Sequence, residues 1–149
     1  MTATVDREHL LSSVEMAHFV SHGAFALEAV VPETMNERAI EVLDAGIPGY
    51  PYGTPLDTAF PTGTFVRELL DLPAIAGAVQ SLVGPNPVID HHAVHIRPPR
   101  GGEAQNMHGD AILDTRTDAF DMQLMYYPRE VTLEQGGTLS VPGTHLRRI

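Results

Sequence analysis

Apolar positions recur at helical spacing through the first half of this chain and alternate with polar ones in the second. Residues 12–22 predict a short helix: Ser12 and Glu15 form a capping box, Val14, Phe19 and Val20 supply apolar positions, and Gly23 suits a left-handed stop. Phe25 to Val31 reads as a strand. Pro32, at a first helical turn, opens a second helix through about residue 45, ended by Gly46. Met35, Ala39, Val42 and Leu43 share its apolar face, which makes the methionine a core residue. Across 46–64 Gly46, Pro48, Gly49, Pro51, Gly53, Pro55, Pro61 and Gly63 break any regular element, leaving a long ordered loop or a linker. Tyr50, Tyr52 and Phe60 predict that this stretch packs onto something. Residues 65–72 and 73–83 read as two helical pieces split by Pro73 and closed by Gly84-Pro85-Asn86-Pro87.

After residue 87 the period changes to two. From Val88 to Arg97, Val88, His92, Val94 and Ile96 fall on one side, and Ile89, His91, Ala93, His95 and Arg97 on the other. Pro98-Pro99-Arg100-Gly101-Gly102 turns the chain, and residues 120–127 and 137–141 read as further strands. Helices first and strands later predict a single α+β domain over 1–149, helical to about 87 and β from about 88, with helices packed on a sheet or barrel.

Composition narrows the function. A formal charge of −10, with nine Lys+Arg against nineteen Asp+Glu, argues against a binder of phosphate backbones or anionic membranes. It leaves room for a small anionic substrate held by a local arginine. The chain has no cysteine, so thiol catalysis, thiolate metal sites and disulfides are excluded, and His, Asp and Glu remain as metal ligands. Residues 1–8 carry neither an apolar run nor a basic segment, and no apolar stretch is long enough to span a bilayer. A cytoplasmic protein is expected.

The chemistry concentrates at Gln105-Asn106-Met107-His108-Gly109-Asp110. A His and an Asp two apart on a strand project to the same side. They can supply two ligands of a 2-His-1-carboxylate site, whose open positions suit non-haem Fe(II). The tripeptide alone favours a His and an Asp making local hydrogen bonds at a strand end, and the neighbouring motifs reverse that.

The order of motifs extends this. Ile96-Arg97-Pro98-Pro99 ends a strand, His108-Gly109-Asp110 follows, and after a further strand comes Glu134-Gln135-Gly136-Gly137-Thr138-Leu139-Ser140-Val141-Pro142-Gly143-Thr144-His145. With the opening helix and Gly23-Ala24-Phe25-Ala26-Leu27, this series resembles the phytanoyl-CoA dioxygenase family of Fe(II)/2-oxoglutarate oxygenases over most of the chain. The resemblance implies N-terminal helices packed on a double-stranded β-helix, a cupin-like jelly-roll barrel. It implies Fe(II) on His108 and Asp110, with 2-oxoglutarate and O₂ as co-substrates and hydroxylation of a C–H bond in a small molecule. Ala93, His95 and Arg97, and Gln123 and Met125 on the next strand, would face the pocket. His91, His92 and His95 are read as strand residues without a metal role, because they split across both faces. Asp110 leaves no vacancy for a halide, which favours hydroxylation over halogenation.

In the family, the His of P-G-[ST]-H is not the iron ligand, so His145 is not assigned as one. The distal His and the Arg that pairs with 2-oxoglutarate come later, and Arg147 and Arg148 lie too close to His145 to match that Arg. About four strand candidates follow residue 87, whereas such a barrel needs about eight. The resemblance thus predicts an incomplete barrel and the N-terminal part of a longer enzyme. Its alternatives are an inactive remnant, a chain that regains a site by pairing with another polypeptide, and a cupin-like small-molecule binding module without redox activity.

Overall fold

The structure, a computed structural model, describes residues 5–47, 54–60, 63–88, 93–95, 106–109 and 122–146. After a 3-10 turn at Arg7–His9, α1 spans Ser13–His22. Its start is the expected capping box: Ser12 Oγ accepts from the Glu15 N–H at 3.3 Å, and the Glu15 carboxylate accepts from the Ser12 N–H at 2.7 Å. The Ser12 hydroxyl, which donates to the Glu15 carboxylate at 2.7 Å, contributes most to holding that carboxyl below its usual pKa, and the Ser12 N–H adds to it. Gly23 ends the helix at φ 83°, where a side chain would be strained.

Helix α2 spans Glu33–Asp44, with Pro32 one place before its first turn and Gly46 left-handed beyond its end. Met35 and Ala39, four apart, are its buried positions. The Pro/Gly-rich stretch contributes β1, Thr54–Pro55, and the short α3, Leu56–Ala59. Helix α4, Thr64–Leu70, buries Phe65 and Leu69, and α5, Pro73–Val83, starts on Pro73 as expected and buries Ile75 to Val79. Pro at a first helical position loses no intrahelical bond, so Pro73 separates the two helices without cost to the second.

The core is helical. Met35 and Ala39 of α2 meet Phe65 and Leu69 of α4 and Ile75 and Val79 of α5. Phe60 stacks on Phe65 with ring centroids 4.4 Å apart, so this aromatic of the stretch before α4 packs as expected, while Tyr50 and Tyr52 lie outside the described residues. The N-terminal turn lies on α5, where the Leu11 N–H donates to Ser81 Oγ at 3.0 Å. A Cβ at Gly77 would stand 1.8 Å from the His9 carbonyl oxygen, so that approach requires glycine in mid-helix.

The strand expected over 25–31 does not form. The chain turns at Glu28-Ala29, with Ala29 at φ 55°, and Leu27, Val30 and Val31 pack partly buried against the helical core. An alternating segment becomes a strand only beside a partner, and these residues find helix surfaces instead. Of the strand expected over 88–97, Ala93–Val94 is realised as β2. It pairs antiparallel with β1, Thr54 opposite Val94 and Pro55 opposite Ala93, and residues 89–92 and 96–97 lie outside the described part.

Residues 122–127 and 137–141, expected as strands, join no ladder. The first packs Met122 and Tyr126 on the helical core, and Arg129 pairs with Asp44 of α2 at 2.8 Å. Tyr127 Oη and Thr138 Oγ1, 2.8 Å apart, link the two segments by side chains. The Gln135-Gly136 turn does form, with Gly136 at φ 78° closing a 3-10 turn at Leu133–Gln135. Among the described residues β1–β2 is the strand pairing, and the jelly-roll barrel is not among the elements they form. No helix among them is long and apolar enough to cross a membrane.

Candidate functional site

His108 sits in a short irregular segment, 106–109, and is exposed. Its Nδ1 lies 2.7 Å from the Asn106 carbonyl oxygen. A carbonyl only accepts, so Nδ1 carries the hydrogen, and in the neutral ring Nε2 then carries the lone pair. Metal-binding histidines commonly donate their second nitrogen to a backbone carbonyl in this way, which fixes the tautomer and the ring. The carbonyl belongs to the residue two before His108, so this bond is made within the local chain. With the carboxylate of Asp110 the donor set is chemically suited to Fe(II). Asp110 itself lies outside the described residues, as does Arg97.

Among the other expected pocket residues, Ala93 is in β2 opposite Pro55. His95, Gln123 and Met125 are exposed, and Met125 Sδ accepts from Tyr127 Oη at 3.4 Å. The expectation that they share one pocket face rested on strand alternation. Residues 122–127 form no ladder, so alternation does not define a common face for Gln123 and Met125.

His145, which carries no expected metal role, has a structural one. Its Nε2 donates to the Val20 carbonyl at 2.9 Å, and the Gly143 N–H donates to the His22 carbonyl at 2.8 Å. Together they satisfy carbonyls of the last turn of α1, which have no intrahelical partner. The ring lies over Gly23, where a Cβ would come within 2.3 Å of His145 Nδ1.

Two groupings had no counterpart among the expected sites. Asp6, Glu8 and His9 bring ligand-type atoms within 4.8 Å of one another at the first 3-10 turn, with the His9–Glu8 pair at 3.6 Å. This is an acid–imidazole turn open to solvent. His18 and His22, four apart on α1, stack with ring centroids 4.1 Å apart. The signal for that pair was present as His-x-x-x-His within a predicted helix, but the helix was read only for its apolar face.

No family model matches the chain, and no curated protein and no solved structure matches it.

Proposed function

We propose that the chain carries part of the metal site of a cytoplasmic Fe(II)/2-oxoglutarate-dependent dioxygenase similar to the phytanoyl-CoA dioxygenase family, on that family's jelly-roll framework. The observation that carries the reading is the ordered series Ile96-Arg97-Pro98-Pro99, His108-Gly109-Asp110 and Gly136 to His145. The Nδ1–H of His108 held on the Asn106 carbonyl supports it. Bound Fe(II), with 2-oxoglutarate and O₂, supplies the oxidising chemistry: decarboxylation to succinate coupled to hydroxylation of a substrate C–H bond.

The chain's own residues divide the remaining work. His108 Nε2 and the Asp110 carboxylate hold the ion, and the Asn106 carbonyl keeps the His108 proton on Nδ1. Ala93, His95 and Arg97 are assigned to the pocket around it, where Arg97 adds positive charge for an anionic co-substrate. Asp110 occupies the position a halide would need, so the product is hydroxylated. No residue of the sequence is assigned as the distal His or as the arginine that pairs with the 2-oxoglutarate carboxylate. His145 is committed to the end of α1.

Equilibrium dialysis of Fe(II) against the anaerobic protein tests the assignment. The reading expects binding that 2-oxoglutarate strengthens and that His108→Ala and Asp110→Ala each weaken. Iron affinity equal in the wild type and both variants contradicts it. Binding of 2-oxoglutarate that ignores iron supports a non-redox binding module instead.

A further inference from the structure

The last two turns of α1 gather imidazoles with no part in the proposed iron site. His18 and His22 are exposed on one face, with rings nearly parallel at 12° and centroids 4.1 Å apart. Spacing of four residues puts side chains one above the other on a helix.

The hydrogen bonds around His22 settle its tautomer. Its Nδ1 lies 3.1 Å from the His18 carbonyl oxygen and 2.8 Å from Ser21 Oγ. Ser21 Oγ in turn donates to the same His18 carbonyl at 2.9 Å. The carbonyl accepts from both and the serine hydrogen is spent on it, so the His22 Nδ1–H is the donor. Nε2 of His22 therefore carries the lone pair, and its ring is anchored by backbone and hydroxyl, as in metal-ligating histidines.

Two nitrogens bound to one first-row metal at 2.0–2.1 Å stand about 3 Å apart. The rings, stacked at 4.1 Å, lie in nearly parallel planes, so sharing one ion requires the His18 ring to turn about its side-chain torsions until its lone pair converges with that of the anchored His22 ring, which the i, i+4 spacing allows. The end of a helix also carries partial negative charge, which favours a cation there.

We infer that His18 and His22 form a bis-imidazole site for a divalent transition-metal ion of the Cu²⁺, Ni²⁺ or Zn²⁺ class. Water fills the other positions. His145 is not a ligand, because its Nε2 is held by the Val20 carbonyl. Asp6, Glu8 and His9 form a separate turn and compete only as a second, independent binder. Imidazole ligands select these ions over Mg²⁺ and Ca²⁺, and the pair follows the usual order with Cu²⁺ tightest.

Calorimetric titration of the full chain with Cu²⁺, Ni²⁺ and Zn²⁺ tests this, beside His18→Gln, His22→Gln, His9→Gln and His108→Gln. Both α1 histidines are exposed, and far-UV circular dichroism checks that the helices persist. The site expects the tightest saturable Cu²⁺ component to be lost in H18Q and in H22Q and kept in H9Q and H108Q. Electron paramagnetic resonance at substoichiometric Cu²⁺ should show two imidazole nitrogens, falling to one in either α1 variant. Absence of saturable binding in the wild type overturns the inference. So does a tightest Cu²⁺ component that survives in H18Q and H22Q, or that is lost in H9Q or H108Q alone. The iron reading stands or falls separately, because it depends on His108.

Discussion

Tyr126 donates its phenol hydrogen to Oδ1 of Asn36, 2.7 Å away across a sequence separation of 90 residues. The bond ties the 122–130 segment to α2, while the Tyr126 ring leans on Phe65 of the core with centroids 6.0 Å apart. It thus joins the two halves of the chain through side chains, beside the β1–β2 pairing that joins them through the backbone.

Replacing Tyr126 with Phe keeps the ring and removes the bond. A net loss of about 1 kcal/mol is expected, typical of a part-buried neutral hydrogen bond. Urea denaturation of Y126F measures it, and an unchanged midpoint would show that the contact contributes nothing.

Burial raises the pKa of the Tyr126 phenol above its ordinary value near 10, helped by Glu33 and opposed by Arg38. A raised folded-state pKa gives stability fully present below the unfolded value and lost as pH rises through the folded one. The wild type should therefore lose stability above pH of about 10 by a component that Y126F lacks. The difference between their unfolding midpoints, followed from neutral to alkaline pH, isolates it from the other tyrosines. A constant difference would contradict the assignment.

Gly77 lies in mid-α5, where helix propensity alone makes Ala the better residue by about 1 kcal/mol. The His9 carbonyl occupies the space a Cβ needs. Gly77→Ala should therefore destabilise by about 1–3 kcal/mol, the range for forced overpacking. Thermal unfolding decides the sign, and a stabilised variant would show that the N-terminal turn does not rest on α5.

Gly23→Ala faces two penalties, a left-handed backbone costing about 1–2 kcal/mol and the His145 ring in the path of the new methyl. A double-mutant cycle with His145→Ala separates them. The cost of Gly23→Ala should fall in the His145→Ala background to the backbone part alone. Additive effects would place His145 away from α1.

The helices were legible because their signals are local. Ser12 and Glu15 cap α1 within four residues, Gly23 stops it, Met35 and Ala39 mark one face of α2, and Pro73 begins α5. The strands were not, because a strand is defined by a neighbour its own sequence does not name. Nothing in the Pro/Gly-rich stretch announces that Thr54–Pro55 pairs with Ala93–Val94. Phe25 to Val31 is apolar enough for a strand but lies beside helices. At the candidate site, His108 was singled out from its spacing to Asp110, while its bond to the Asn106 carbonyl required coordinates. The role of His145 as a cap on α1 was equally invisible, since it joins residues 125 apart.

The central claim is that His108 is an iron ligand in a site built for 2-oxoglutarate. Its most direct test is the visible absorption of the anaerobic protein on addition of Fe(II) and then 2-oxoglutarate, with His108→Ala alongside and the α1 pair removed in both. The account expects a charge-transfer band from the chelated keto acid that is lost in His108→Ala. A band of the same intensity in the variant, or none in either protein, would contradict it.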